Sequence, residues 1–293
     1  MEKIGFIGLG AMGGPVAGRL AQHHDLVVND RNPEAAASLV AAGARRAEIP
    51  ELAAACDVVF TCLPGPADMR DLVLDAEHAL SRLLRPGSVL VDITSSIPTL
   101  DAQIAAALAE RDVAFVDCPI AGGVRRAKEG TATLMAGAAP ADFVRVQPLL
   151  REITPTVVHV GPVGTGHAMK LVNNLLNACN RFAALETIRL AERAGIERSV
   201  ALDVINASSG RNFATEFTFP LLLSGAQWVP QDFTLELMLK DVRLANELAA
   251  SLGHETPIGR MAQRLTKQAV ERFGARADQS QMMFEWYGAD EDA

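Results

Sequence analysis

The chain has few aromatic residues and no excess of basic ones. Its 293 residues include 11 Phe, 2 Trp and 1 Tyr, and 27 Lys and Arg stand against 35 Asp and Glu, which gives a formal charge of −8. Single-stranded nucleic acids are bound by aromatic residues interleaved with basic ones, and anionic membranes by basic clusters. The composition therefore argues against a nucleic-acid partner and against a membrane partner.

Cysteines and long apolar runs are also scarce. No two cysteines are spaced as CxxC, which argues against a zinc knuckle or a redox dithiol; the four are Cys56, Cys62, Cys118 and Cys179. Unpaired cysteines in apolar stretches suit a reducing compartment, so we expect a cytoplasmic protein. The sequence contains no uninterrupted run of 18 apolar residues, so we expect no membrane span. The pair His23-His24 has no carboxylate or thiolate at ligand spacing, and we expect no metal.

The first 160 residues alternate short apolar runs with helix-like runs. Most of the short runs are continuous in Val, Ile, Leu and Phe, which is typical of strands buried on both faces of a parallel sheet. Pro33 and Pro98 suit the first turns of helices at 33–42 and 98–110. This alternation predicts an α/β fold with a doubly wound, mostly parallel sheet. The predicted strands are 3–8, 26–30, 57–62, 88–92, 113–117, 131–136 and 156–160.

After residue 161 the pattern becomes helical throughout. The helix-like runs are 167–194, 198–208, 214–223, 234–252 and 257–273. A chain of this length accommodates about two domains. We therefore predict an α/β domain at 1–161 and an all-α domain, for substrate binding and subunit contacts, at 162–293. Because no Pro/Ser-rich linker separates them, we expect the ligand to bind in a cleft between the domains.

The first predicted strand ends in a glycine-rich turn that opens a helix-like run. The turn reads Gly8-Leu9-Gly10-Ala11-Met12-Gly13, and Asp30, at the end of the second strand, lies 20 residues beyond Gly10. In a dinucleotide-binding turn the first glycine allows the tight turn, the second lets the backbone approach the pyrophosphate, and the third lets helix and strand pack closely. The acid stands where it reaches the ribose hydroxyls. The motif therefore predicts a dinucleotide site.

Asp30 and its neighbour Arg31 bear on which dinucleotide is bound. The carboxylate of Asp30 repels the additional ribose phosphate of NADP and so favours NAD. An arginine can stack on adenine or clasp that phosphate, so Arg31 leaves the use of NADP open. The sequence predicts NAD as the cofactor, with NADP as the second candidate.

Three further motifs follow predicted strands, where open α/β sheets bind their ligands. Cys62-Leu63-Pro64-Gly65 and Asp92-Ile93-Thr94-Ser95-Ser96 are each compatible with a ligand contact or with an ordinary capping turn. The third motif ends in paired glycines, whose consecutive N–H groups can hold a carboxylate, although a plain turn has the same signature. It reads Asp117-Cys118-Pro119-Ile120-Ala121-Gly122-Gly123.

A polar stripe marks the long helix-like run at 167–194. Gly166, Lys170 and Asn174 are spaced i, i+4, i+8 and share one helix face. One interpretation is a lysine that extends from a helix–helix contact to solvent. The other is a proton donor that faces the cleft beside an orienting amide.

Four segments together resemble those of the β-hydroxyacid dehydrogenase family. GFIGLGAMGGPVAGRL resembles its N-terminal signature, DCPIAGGVRRAKEGTATLMAG its substrate-binding segment, GTGHAMKLVNN its catalytic segment, and Lys240-Asp241 its late Lys-Asp pair. The resemblance covers nearly the whole chain. It implies a Rossmann-like N-terminal domain followed by an all-α C-terminal domain, in a homodimer or homotetramer. The stretch NASSGR followed by ATE favours the branch that acts on 3-hydroxyisobutyrate.

The resemblance also implies roles for single residues. Lys170 is implied as the catalytic residue and Asn174 as the amide that orients the substrate. Beyond the glycine-rich turn, Asp30 and Arg31, the implied cofactor contacts are Leu63, Pro64, Thr94 and Lys240. The implied substrate-binding segment is Ala121, Gly122 and Gly123. Where the family has a serine this chain has Ala121, so a hydroxyl donor to the substrate is absent and the identity of the hydroxy acid stays open.

The implied reaction is the reversible NAD(P)-dependent oxidation of a short β-hydroxy acid to its semialdehyde by hydride transfer. The first candidate pair is 3-hydroxyisobutyrate and methylmalonate semialdehyde, with Lys170 as general acid and base. Reductases of tartronate semialdehyde (2-hydroxy-3-oxopropionate), glyoxylate or succinic semialdehyde are alternatives that use the same lysine. A silent dinucleotide-binding scaffold is the non-enzymatic alternative, but it would not need Lys170 and Asn174 beside Gly166.

Overall fold

The computed structural model describes residues 2–220 and 233–285. The chain divides into two compact units, residues 1–170 and 171–293. The domain boundary predicted after residue 161 stays a prediction. The helix predicted at 214–223 runs past the first described stretch, so its residues 221–223 lie outside the described residues.

Within its described residues the first unit contains one sheet of nine strands. Seven of them confirm the predicted apolar runs, whereas β3 and β7 have two residues each and are too short to leave a periodic pattern. The strands are β1 (Ile4–Ile7), β2 (Leu26–Asn29), β3 (Arg45–Arg46), β4 (Val58–Thr61), β5 (Val89–Asp92), β6 (Ala114–Asp117), β7 (Ile120–Ala121), β8 (Thr133–Gly137) and β9 (Thr156–Gly161).

The order of the strands is β3-β2-β1-β4-β5-β6-β8-β7, and β9 pairs with β8. From β3 to β6 all neighbours are parallel, while β8 is antiparallel to β6 and β7 and parallel to β9. The order reverses at β1, which lies between β2 and β4. Ligands of such sheets bind at the carboxyl ends of the strands beside this reversal. The doubly wound, mostly parallel sheet is confirmed.

Helices connect the strands. The helix predicted at 33–42 begins as a 3₁₀ turn, Pro33–Ala36, where the Asn32 side chain accepts the Glu34 N–H at 3.2 Å. A π-helical turn, Asp71–Asp75, prolongs α4. The helices up to the end of the first unit are α1 (Gly13–Leu20), α2 (Ala37–Ala41), α3 (Ile49–Ala55), α4 (Pro66–Arg70), α5 (Leu80–Leu83), α6 (Pro98–Ala109), α7 (Gly123–Glu129), α8 (Pro140–Ile153) and α9 (Thr165–Arg193), which continues into the second unit.

The central strands β1, β4 and β5 are buried on both faces because each face of the sheet has its own core. In β4, Val58 and Phe60 pack into one hydrophobic cluster and Val59 into the other. The rings of Phe6 and Phe60 stack across neighbouring strands at 5.9 Å between centroids. Both cores hold the sheet rigid, so the loops at its carboxyl edge have fixed starting points.

In its described residues, the regular secondary structure of the second unit is helical, apart from a single bridge between Thr234 and Asp278. Its core includes Phe182 and Ile188 of α9 and Met238 and Val242. After α9 come α10 (Arg198–Asn206), a π-helical turn (Ala214–Thr218), α11 (Leu235–Ser251), α12 (Pro257–Phe273) and α13 (Gln279–Glu285), the last of which was not predicted. No helix in the described part of the chain has the length and hydropathy of a membrane span.

Candidate active site

The glycine-rich turn joins β1 to α1, and its three glycines have different surroundings. Gly8 has a φ of +93°, and a Cβ there would lie 2.3 Å from the Cys62 carbonyl oxygen. A Cβ on Gly13 would lie 1.9 Å from the carbonyl oxygen of Gly8. At Gly10 a Cβ would meet nothing within 4 Å. The first and third glycines are therefore required by the protein's own packing, whereas the second faces open space.

The open side of this turn fits a dinucleotide phosphate. Gly10 and Ala11 are exposed, and no side chain caps the N-terminus of α1, where Met12 is half-buried. The N–H groups of a helix N-terminus attract anions. These exposed N–H groups could hold a phosphate, and the cofactor contacts predicted for Gly8, Leu9, Gly10, Ala11, Met12 and Gly13 stay predictions.

Asp30 directly follows β2 and braces this turn. One oxygen of its carboxylate accepts the Leu9 N–H at 2.6 Å, and the other accepts the Asn32 N–H at 2.7 Å. The neighbouring Arg31 is exposed and pairs with Asp68 at 3.0 Å. The carboxylate is half-buried beside the glycine-rich turn, and its contact with the ribose stays a prediction.

The loops after β4 and β5 are tied to each other. The Thr94 hydroxyl accepts the Leu63 N–H at 3.0 Å, and the Thr94 N–H donates to Asp92 at 2.9 Å. Thr94 is buried, Leu63 is half-buried and Pro64 is exposed. Because β4 and β5 pair in parallel, their ends bring both loops to the same edge of the sheet as Gly8. The cofactor contacts predicted for Leu63, Pro64 and Thr94 stay predictions.

Lys170 reaches the paired-glycine loop. It lies in the second turn of α9, and its Nζ donates to the Ile120 carbonyl at 2.8 Å. The next residues are Ala121, at the end of β7, and Gly122 and Gly123, whose φ values are +128° and +74°. These φ values are in the region that favours glycine, and they turn the chain from β7 into α7. The amine and the loop predicted to hold the substrate carboxylate are therefore neighbours.

Asn174 and the Lys240-Asp241 pair meet in the second unit. Asn174 Nδ2 donates to Asp241 at 2.6 Å, and its Oδ1 accepts from Asn173 at 3.2 Å. Lys240 Nζ lies 3.5 Å from the other oxygen of Asp241. The buried carboxylate thus fixes the rotation of the Asn174 amide. The sequence analysis gave Asp241 no role of its own. Its contact with Asn174 is seen only in the folded structure.

A second group of polar residues lies inside the first unit and was not predicted. Asp117, at the end of β6, accepts the N–H groups of Gly164 and His167 at 2.6 and 2.8 Å. The His167 ring in turn contacts Asp101 of α6. Asp117 and His167 both belong to motifs that the sequence singles out, but Asp101 lies in an ordinary helix and carries no sequence signal. Together they hold the start of α9, one turn before Lys170.

Lys170 and the loop at 120–123 belong to the first unit, whereas Asn174 and Lys240 belong to the second. Lys170 and Asn174 are four residues apart on one continuous helix, α9. The predicted cleft between the domains, and the role of each of these residues in it, stay predictions.

Known families match almost the whole chain. Residues 3–161 match the NAD binding domain of 6-phosphogluconate dehydrogenase, and residues 164–286 match a domain described as the NAD-binding of NADP-dependent 3-hydroxyisobutyrate dehydrogenase. The sequence is 34% identical to 2-(hydroxymethyl)glutarate dehydrogenase of Eubacterium barkeri, over 97% of this chain and 94% of that protein. It is 33% identical to NAD-dependent L-serine dehydrogenase of Pseudomonas aeruginosa, over 95% of each chain.

Solved structures agree with these matches. The structure of Mycobacterium tuberculosis 3-hydroxyisobutyrate dehydrogenase with L-serine superposes with a TM-score of 0.86 at 28% identity, covering 98% of this chain and 99% of that one. Matches of this extent include both the α/β and the helical regions. The chain is therefore a member of the β-hydroxyacid dehydrogenase family, an NAD(P)-dependent oxidoreductase.

Proposed function

We propose that the protein interconverts a short β-hydroxy acid and its semialdehyde, with Lys170 as general acid and base. The first candidate pair is 3-hydroxyisobutyrate and methylmalonate semialdehyde. The observation that carries the proposal is the contact of Lys170 Nζ with the Ile120 carbonyl, at the start of the paired-glycine loop.

The names of the relatives support a common substrate skeleton. 3-Hydroxyisobutyrate, L-serine and 2-(hydroxymethyl)glutarate all contain a primary alcohol on the carbon next to a carboxylate-bearing C2. They differ only in the C2 substituent, which is a methyl, an ammonium or a carboxyethyl group. The shared part is what a carboxylate-binding loop and a nearby base would recognise.

In the oxidation direction, the N–H groups of Gly122 and Gly123 hold the substrate carboxylate, and the Asn174 amide orients the alcohol. Lys170 donates to the Ile120 carbonyl and, as the general base, accepts the hydroxyl proton. The O–H bond breaks toward Nζ, and the C–O bond becomes a carbonyl as the carbinol carbon loses a hydride. When bound, the nicotinamide cofactor accepts that hydride. In reduction, the lysine ammonium returns the proton.

A substrate matrix tests this function. Purified protein is assayed with NAD and with NADP against 3-hydroxyisobutyrate, L-serine, glycerate and 2-(hydroxymethyl)glutarate. The fifth compound is 4-hydroxybutyrate, whose alcohol is one carbon further from the carboxylate. We expect kcat/KM to be highest for 3-hydroxyisobutyrate and lowest for 4-hydroxybutyrate. A preference for glycerate would favour a tartronate semialdehyde reductase, and turnover of none of them would contradict the proposal.

Asp30 is expected to set the cofactor preference toward NAD. Asp30→Ala removes a charged acceptor near the ribose, so the NAD-to-NADP ratio of kcat/KM should fall by about tenfold or more. The matched control is Asp25→Ala, an exposed acid just before β2. A ratio that stays unchanged in Asp30→Ala while the protein remains folded would show that this carboxylate does not select the cofactor.

A further inference from the structure

His167 is a buried histidine surrounded by buried carboxylates. The side chains of His167, Asp92 and Asp101 are fully buried, and Asp117 is also at 0% exposure. Nδ1 of His167 lies 2.8 and 2.9 Å from the two oxygens of Asp101, and Nε2 lies 2.7 Å from the Thr94 carbonyl. The mechanism described above uses none of these carboxylates and does not use this ring.

The hydrogen-bond partners of the two ring nitrogens determine the protonation state of His167. A backbone carbonyl only accepts hydrogen bonds, so Nε2 must donate to Thr94. A carboxylate that faces Nδ1 with both oxygens is also an acceptor, so Nδ1 donates to Asp101. With both nitrogens donating, His167 is an imidazolium.

Three elements around the ring each contribute a carboxylate. Asp101 comes from α6, Asp117 from the end of β6, and Asp92 from the end of β5, with its Oδ2 3.9 Å from Nε2. Burial lowers the pKa of His167, but the Asp101 carboxylate, followed by Asp92 and Asp117, outweighs it and raises the pKa to about 9. Burial raises the pKa of Asp92 to about 6 and that of Asp117 to about 7.

The same ring joins three parts of the first unit. Through Asp101 it contacts α6, and through the Thr94 carbonyl it contacts the loop after β5. The Thr94 hydroxyl holds Leu63 of the loop after β4. His167 itself lies in the first turn of α9, three residues before Lys170. We propose that His167, as an imidazolium, is a positioning residue that fixes the first turn of α9, and with it Lys170, against the loops that follow β4 and β5. The inference rests on the proposed role of Lys170.

The first experiment compares pH profiles of kcat for wild type and Asp101→Asn. Asparagine still accepts a hydrogen bond but removes the negative charge, so the buried ring loses its proton at lower pH. We expect an alkaline limb near pH 9 in the wild type. In Asp101→Asn this alkaline limb should move down by at least one pH unit, while the acidic limb stays where it is in the wild type. A control, His159→Gln, removes an exposed histidine that also contacts a carbonyl, and its profile should match the wild type.

The second experiment measures the ring and the cofactor loops directly. Long-range ¹H–¹⁵N spectra of histidine-labelled protein should show a doubly protonated ring at pH 7.5 whose signal is missing in His167→Gln. The Kd of NADH, from fluorescence titration, should rise at least fivefold in His167→Gln and stay unchanged in Lys170→Ala. The double variant His167→Gln/Asp101→Asn, with neutral partners, should lose less activity than the product of the two single losses.

Specific results would overturn the inference. A neutral His167 ring at pH 7.5 would contradict the positioning role. An Asp101→Asn variant with the wild-type alkaline limb and the wild-type NADH affinity would show that the ring contributes packing alone. A variant that only melts earlier, with kcat and Kd unchanged, leads to the same conclusion. If Lys170→Ala retains its activity, the proposed function fails instead, and the spectra and the NADH titration still report on the anchoring of the loops.

Discussion

Lys170→Ala should lower kcat for the preferred hydroxy acid by about 10²–10⁴-fold, the usual contribution of a general acid–base group. The variant keeps the glycine-rich turn and the paired-glycine loop, so the Kd of NADH should stay within about twofold of the wild-type value. Its unfolding free energy should fall by about 1 kcal/mol or more, since the hydrogen bond to the Ile120 carbonyl is lost. Steady-state kinetics, fluorescence titration and thermal denaturation measure the three quantities.

The control for this variant is Lys128→Ala, which removes an exposed lysine from α7, the helix that follows the paired-glycine loop. It should match the wild type in all three measurements. If Lys170→Ala kept more than about a tenth of the wild-type kcat, general acid–base catalysis by this residue would be excluded.

Gly10→Ala should abolish tight cofactor binding without unfolding the protein. A Cβ at Gly10 meets no protein atom within 4 Å, so it projects into the space where the pyrophosphate approaches the backbone. We expect the Kd of NADH to rise about a hundredfold, or about 2.8 kcal/mol. Because alanine restricts the unfolded chain and Gly10 has no positive φ, the melting temperature should stay equal or rise slightly.

Two neighbouring glycines provide matched controls in the same segment. Gly18, inside α1, also has open space at its Cβ position, so Gly18→Ala should stabilise the helix by about 0.5–1 kcal/mol and leave cofactor binding unchanged. Gly13→Ala should instead destabilise the fold by about 1–3 kcal/mol, because its Cβ would press on the Gly8 carbonyl oxygen. Equal NADH affinity in the Gly10 and Gly18 variants would contradict a cofactor at this turn.

The described α/β fold was predictable because its signals are local. A continuous apolar run such as Val58, Val59 and Phe60 indicates a strand buried on both faces, and Gly195 and Gly253 end their helices in positive-φ conformations. The two-residue strands β3 and β7 were not predictable, because pairing with a neighbour defines them and no periodicity does.

The sequence by itself determined the sheet class, and it singled out as candidates the glycine-rich turn with Asp30 and the residues Lys170 and Asn174. Each of these signals depends on residues close together along the chain. The tertiary structure alone decided which partners these residues have. The Ile120 carbonyl lies 50 residues from Lys170, Asp241 lies 67 residues from Asn174, and Asp101 lies 66 residues from His167. Such contacts depend on strand order and helix packing. The His167 ring and the Asp101 carboxylate compensate each other's charge only once the fold has brought them together, so no local sequence pattern predicts this pair.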